Sequence, residues 1–556
     1  MEKDHAFDDA LIRAELAKYL TPRDLAQCAG VSHAWFDWFI PSLWHTRSFY
    51  CSLSNIPGLR RYQQHVRVIK DIAINLAVES RDYWSFPNLQ SVQFVQGNNN
   101  NLFRPQYVTF GGFGGIHQGG QMVQGSVNVS RVDLRLVKLL DSTPLLQDLT
   151  VTLSLDNTDV YRQFLLALQS LTHLRRLELV CNEYVNPIHI QQVISACRQC
   201  ETLSFKFWGN DSFKGTEEAG EYALAKAAME QMQDIAVKTL YLESSLSDQE
   251  ATIMVPLLKH CPLLEEIHLW DLHLDSTLEL LQDAFRNGAC PQLKTLFPSN
   301  SPPTKKDPLP TLLSVMGPNR GVNAVGLQTL TIPTHYFLAE SALAITQHLA
   351  QSMTVLNFQE HIMKFEVFNE LVTGLPHLRS LSARIEEISA QTVDINRFNQ
   401  MCARDWVCLG LEKLQVGSQL TQGIPTVKTD SWKQSLPRRC MDYMFSQFAR
   451  LENLEQWDWV AGPVDLFILT GGYLRTLSNL KQLRRLGLGS STVYRMGAKE
   501  ADWVAENWPR LEHVDLSCRK MLVPIADSSR VKADKLALDA FIHTLRSKRP
   551  SITFNR

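Results

Sequence analysis

One pattern recurs along this 556-residue chain and limits what it can fold into: an apolar residue at i, i+3 and i+5, in six copies preceded by proline at i−2. Two copies are Pro87-Asn88-Leu89-Gln90-Ser91-Val92-Gln93-Phe94 and Pro262-Leu263-Leu264-Glu265-Glu266-Ile267-His268-Leu269. Others start at Leu146, Leu174, Cys200, Val237, Leu293, Leu327, Met353, Leu378, Leu411, Leu454, Leu483 and Leu511, which makes fourteen, and Ile69, Ile72 and Ile74 are a fifteenth candidate. Residues i+3 and i+5 share one face of a short strand, while i+2 and i+4 share the other. From Leu146 onward the copies lie 25 to 43 residues apart, most of them just under thirty. One strand and one helix cannot bury their apolar faces alone, so the copies are expected to stack on one another.

The intervening segments read as helices. Tyr161, Phe164, Leu165 and Leu168 keep i, i+3, i+4, i+7 spacing before the Leu174 copy, and Ile253, Leu257 and Leu258 nearly do so before Leu264. Pro87, Pro144, Pro262, Pro291, Pro376 and Pro509 then end a helix and start an extended segment, because proline lacks an N–H and fixes φ. A doubly wound sheet seldom needs fourteen near-equivalent strands, and no glycine-rich phosphate loop marks a switch point. The spacing resembles the leucine-rich-repeat superfamily, which implies an α/β leucine-rich-repeat solenoid, or horseshoe. The superfamily's Asn or Cys at the ninth repeat position is matched only by Asn182.

Residues 96–127, with Asn98-Asn99-Asn100-Asn101 and Gly111-Gly112-Phe113-Gly114-Gly115, and residues 299–310 read as loops within the solenoid. The solenoid is assigned to 47–529, with a C-terminal cap at 530–556. There Leu538, Phe541, Ile542 and Leu545 form a helical stripe and Pro550-Ser551-Ile552-Thr553-Phe554 a final strand. Arg530, Lys532, Lys535, Arg546, Lys548, Arg549 and Arg556 give the cap a polar outer face.

Residues 1–46 differ from the rest. Leu11, Ile12, Leu16, Tyr19 and Leu20 describe an amphipathic helix. Thr21-Pro22-Arg23-Asp24 caps a second helix through Leu25, Cys28 and Ala29, and Val31, Trp35, Phe36 and Phe39 mark a third. Three short helices enclose little core, so Trp35, Phe36, Trp38, Phe39 and Trp44 are expected to need a cover from elsewhere. Tyr19-Leu20-Thr21-Pro22-Arg23-Asp24-Leu25, Val31-Ser32-His33-Ala34-Trp35 and Leu43-Trp44 resemble the F-box, although Phe7-Asp8-Asp9-Ala10 stands where that module opens with Leu-Pro. F-box followed by leucine-rich repeats is the order of substrate receptors of the fungal type. The resemblance implies docking to a Skp-family adaptor of an SCF-type cullin-RING ubiquitin ligase, with the repeats binding a protein substrate. It assigns Leu16, Leu20, Pro22, Leu25, Val31 and Trp35 to the adaptor contact or the module core. The other reading is a repeat scaffold whose helices serve only as an N-terminal cap.

If one face of the strands meets a partner, positions i+2 and i+4 do so. The candidate contacts are Arg176, Glu178, Tyr241, Glu266, His268, Lys413, Asp458, Arg485, His513 and Asp515. Both charge signs alternate among them. Lys plus Arg is 55 against 57 Asp plus Glu, a net −2, so neither the face nor the whole chain has the single positive sign that nucleic acid requires. No HExxH, GxSxG or Walker A string occurs, so no catalytic site is expected and no cofactor is implied. The 11 cysteines are scattered, with Cys197-Arg198-Gln199-Cys200 as the single CxxC, so they are expected to be thiols without a metal. No bilayer-length apolar run occurs and the first residues lack a signal-peptide layout, which predicts a cytoplasmic or nuclear protein with no membrane contact.

Overall fold

The computed structural model describes residues 10–48, 59–73, 88–95, 134–153, 158–181, 187–207, 218–242, 248–270, 275–299, 309–318, 324–332, 337–386, 395–418, 436–461, 467–488, 496–516 and 528–555. Residues 96–127, most of 299–310, Phe7, Asn182 and Arg556 lie outside that set. The chain divides into two compact units, Met1–Cys261 and Pro262–Arg556.

The first unit opens with helices α1 (Ala10–Tyr19), α2 (Pro22–Ala29) and α3 (His33–His45). Seven parallel strands follow: β1 (Thr46–Ser48), β2 (Val68–Ala73), β3 (Ser91–Val95), β4 (Asp148–Leu153), β5 (Arg176–Cys181), β6 (Thr202–Phe207) and β7 (Thr239–Leu242). Each pairs with the next in chain order. Helices Thr158–Ser170, Pro187–Ala196 and Glu218–Glu230 alternate with the later strands. The second unit repeats the scheme with β8 (Glu266–Trp270), β9 (Thr295–Ser299), β10 (Thr329–Thr331), β11 (Val355–Met363), β12 (Ser380–Ile385), β13 (Lys413–Ser418), β14 (Gln456–Ala461), β15 (Arg485–Leu488), β16 (His513–Asp515) and β17 (Thr553–Asn555). These too are parallel and paired in order. Each unit is thus a stack of repeats in which a strand is followed in most copies by a helix, the strands forming one parallel ladder within the unit.

All fourteen copies read from the sequence become strands, β3 to β16. Their first apolar residues are at most 1% exposed, and burying each contributes about 1.5–3 kcal/mol. Two local devices set the copies. The N–H of residue i donates to the carbonyl of i−3, as in Leu146 to Thr143 (3.1 Å), Leu293 to Cys290 (3.0 Å) and Leu511 to Trp508 (3.2 Å). Proline at i−2 therefore sits second in a tight turn, where its fixed φ fits. The helix has already ended: one stops at Asp141, before Pro144. Secondly, the carbonyl of i+1 accepts two N–H groups from the next copy, as Gln147 O does from Arg175 (2.8 Å) and Arg176 (2.9 Å). That bond pair repeats along both stacks and fixes the register.

Three borders differ from expectation. Val66, not Ile69, anchors the copy in β2. Ile69 pairs with Val92, and the register shifts between Ile69 and Ile72. Strand β1, which has no apolar residue, directly follows α3, so helical module and stack meet without a linker. The C-terminal helix starts at Ser528 and buries Phe541, Ile542 and Leu545. Three basic residues at or just past its end have internal partners: the Arg549 guanidinium donates to Trp508 O (2.7 Å) and Leu511 O (2.8 Å), Lys548 meets Asp502 (2.8 Å), and Arg546 lies over the Phe554 ring. Among the described residues no helix is long and apolar enough to cross a membrane.

Candidate binding surfaces

The three N-terminal helices are locally encoded. Thr21 caps α2 in a capping box: its hydroxyl accepts from the Asp24 N–H (3.3 Å), and Asp24 Oδ2 accepts from the Thr21 hydroxyl (2.6 Å) and N–H (3.1 Å). Those bonds favour the carboxylate and hold the Asp24 pKa below its ordinary value. Ser32 caps α3 by accepting from the Trp35 N–H (3.2 Å). The rings find cover within the chain, contrary to expectation. Phe39 and Trp44 are buried, and Trp35, Phe36 and Trp38 are half-buried. Trp44 and Phe36 pack on Tyr62 (centroids 5.3 and 5.9 Å), Trp35 on Phe39 (5.5 Å), and Arg13 lies over Trp38. Tyr62 ends a short helix, Leu59–Tyr62, that closes over α3.

What stays outside is mostly aliphatic. Of the six residues assigned by resemblance, Leu25 belongs to the core, Leu20 and Trp35 are half-buried, and Leu16, Pro22 and Val31 are exposed. Val31 is 65% exposed and Leu16 38%. Ile12, Leu16 and Tyr19 follow i, i+4, i+7 along α1, and all three are exposed. That row was legible as an amphipathic stripe. That it faces outward follows only once α2 and α3 are seen to pack chiefly on each other.

On the strands the alternation holds: Leu149 and Val151 are buried while Asp148 is exposed and Thr150 half-exposed. Within the first unit, Glu178 collects its neighbours. Its carboxylate accepts from Lys206 Nζ (2.6 Å) and the Thr150 hydroxyl (3.3 Å), and Arg176 lies 3.9 Å away. Asp148, beside Arg176 in the register, is exposed as a residue but only partly desolvated at its carboxyl, and that desolvation raises its pKa against the arginine's opposite pull. Tyr241, half-buried, stands next to Ser204 in the ladder.

Within the second unit, Glu266 and His268 meet on one strand (2.6 Å), and the imidazole stacks flat on Phe297 (4.0 Å, 4° between planes). Further along, Arg485 lies between Asp458 (3.8 Å) and Asp515 (3.6 Å), with Gln456 donating to Asp458 (2.8 Å). The Asp458 carboxylate leans over Gly487, where an added Cβ would fall 2.0 Å from Oδ1. His513 contacts Thr553 (2.7 Å) and Asn555 (3.3 Å). Lys413 lies between Ser380 and Gln456 and makes no ion pair among the described residues. The ten candidates thus fall into separate clusters.

Sequence reasoning missed Lys206 and Phe297, the latter at i+4 of the Leu293 copy and open to the same rule. It also missed a second row. Side chains at i+1 pair across neighbouring copies: Glu201 with Lys238 (3.5 Å) in the first unit, and Glu265 with Lys294 (3.4 Å), Arg379 with Glu412 (3.4 Å) and Arg484 with Glu512 (3.8 Å) in the second. This row edges the sheet face at the strand starts.

No family model matches the sequence, and no curated protein matches it. Among solved structures the chain is similar to the leucine-rich repeat-containing protein LegL7 from Legionella pneumophila, at 12% identity and a TM-score of 0.30. That match covers 59% of this chain and 96% of the other.

Proposed function

We propose that the chain is the substrate-recognition subunit of an SCF-type cullin-RING ubiquitin ligase, its N-terminal helices docking a Skp-family adaptor and its repeats holding a protein substrate. The observation that carries the reading is the exposed apolar set on the module, Leu16, Tyr19, Pro22 and Val31. It falls within the segment whose order resembles the F-box. Apolar side chains held outward on a folded helical module gain by burial in a partner. The mixed-sign strand faces suit a polar protein surface rather than a polyanion. The chain itself then carries no chemistry, and the ligase activity belongs to the complex.

The second reading, a scaffold capped by three helices, is favoured by a specific contact: Trp44 and Phe36 rest on Tyr62, and α3 runs straight into β1. The two part on one experiment. Leu16→Asp/Val31→Asp changes only exposed positions, so the fold should survive. Affinity capture of the tagged full chain with mass spectrometry should recover adaptor and cullin peptides, and the double variant should lose them. Absence of both from the wild-type capture, or their retention by the folded double variant, rejects the ligase reading in favour of the scaffold.

A further inference from the structure

The second unit carries an open groove of roughly 650 Å³, whose lining includes none of that unit's sheet-face cluster residues. Its banks are two rows that the repeat itself generates. One is the i−1 row, with Ser352, His377, Gly410 and Asn453; the other is the i+1 row, with Thr354, Arg379, Glu412 and Glu455. Beyond Pro318 and Val325 at one end, the lining residues run from Gln328, just before β10, to Gln482, just before β15. Six copies at the strand spacing of about 4.8 Å make a trough about 24 Å long, which about seven residues of extended polypeptide would span.

Three observations define an occupant. First, the backbone here is spent. Glu412 N–H donates to Arg379 O (2.8 Å), Glu455 N–H to Glu412 O (2.8 Å), and Gln456 N–H to the same Glu412 carbonyl (3.0 Å). Recognition therefore falls to side chains. Those of Gln328 and Gln351 make no hydrogen bond among the described residues, and a carboxamide offers a peptide group both a donor and an acceptor. Secondly, the charges do not cancel. Arg379 pairs with Glu412, whereas Glu455 has no ion pair among the described residues, which leaves one negative charge in the trough.

Thirdly, Gly410 is a glycine that the fold does not demand. Its φ lies outside the left-handed region, and a Cβ there would meet no heavy atom within 4 Å. Gly326, by contrast, has φ +76° and tight neighbours, and Gly487 sits under a carboxylate. With neither backbone strain nor crowding to explain it, the missing side chain at Gly410 has one evident effect: it keeps the groove open at its middle.

We propose that this groove binds an extended segment of a partner protein, with a lysine or arginine of that segment placed against Glu455. Acidic polymers are refused by the same charge. The proposal is independent of the adaptor reading, since it uses no residue of the N-terminal module.

The test pans a phage-displayed library of linear peptides on the immobilised full chain and removes binders on Gly410→Leu, a variant expected to keep the wild-type Tm. Peptides that survive should be enriched in Lys or Arg. A synthetic copy of one should bind wild type in fluorescence anisotropy, with its affinity falling about tenfold or more on Glu455→Lys. No enrichment over an uncoated surface, enrichment of acidic peptides, or affinity unchanged by Glu455→Lys each overturns the proposal. If Gly410→Leu lowers the Tm, counter-selection on Glu455→Lys replaces it and the same outcomes decide.

Discussion

The charge clusters on the two strand faces are inverses of each other. In the first unit an anion is central: Glu178 is held by Lys206 at 2.6 Å, with Arg176 at 3.9 Å. In the second a cation is central: Arg485 stands 3.6 to 3.8 Å from Asp515 and Asp458. The repeat explains both. The acids occupy i+4, in mid-strand between flanking strands, and their side chains are only 16 to 20% exposed. The arginines occupy i+2, nearer the strand start, and stay about half exposed. Recessed carboxylates below a row of outer cations thus form one design. The difference lies in neighbours: Lys206 tightens the first cluster, whereas in the second Arg485 stands more loosely between two carboxylates, one of which lies over Gly487. The first unit's cluster reads as tight internal support, the second's as a looser arrangement.

That contrast can be broken at its tight end. Glu178→Ala removes the acid that Lys206 and Arg176 share and takes a 2.6 Å ion pair from the partly sheltered ammonium. It should cost about 2 kcal/mol in urea unfolding of the full chain. A change no larger than that of an exposed substitution would show that the cluster supports nothing. At the loose end, Gly487→Ala places a methyl where Asp458 Oδ1 now sits, so the carboxylate must turn away from Arg485. The expected cost is about 1 kcal/mol. The cause is checked by a double-mutant cycle, since most of that loss should vanish in an Asp458→Ala background. Additive losses would locate the strain elsewhere.

What the sequence made legible follows from the same geometry. Positions i, i+3 and i+5 were readable because burial of Leu146, Leu149 and Val151 imposes a residue type. Positions i+2 and i+4 were readable as an exposed set because the pleat alternates. Which charges would touch was not readable. Glu178 meets Lys206, and Arg379 meets Glu412, across register between distant segments, and register is set by backbone bonds that any residue can make. Strand β1, Thr46-Arg47-Ser48, holds no apolar residue and so gave no signal. Ile69, Ile72 and Ile74 satisfied the spacing by coincidence with a register shift, which hid Val66. The rings of the N-terminal module were misjudged for want of one residue, Tyr62, whose helix is a single turn long. Gly410 was invisible for a different reason: only coordinates separate a glycine that the chain requires from one that it does not.

The finest test of the contrast lies at Asp148, on the edge of the tight cluster. Partial desolvation of its carboxyl raises its pKa, so the folded chain binds that proton more strongly than the unfolded chain. Its contribution to stability is therefore fully present below the ordinary carboxylate range and is lost as pH rises through the folded value. At neutral pH the ionised group is a burden that Arg176 only partly relieves. Asp148→Asn removes the titration while keeping the shape. The variant should be slightly more stable than wild type at about pH 7, and the gap should close as pH falls toward the ordinary carboxylate pKa, about 3.9. The check is the difference in thermal midpoint across that window. A variant less stable at neutral pH would mean that the Arg176 attraction outweighs burial, and the first cluster would then be bound by its charges at every position.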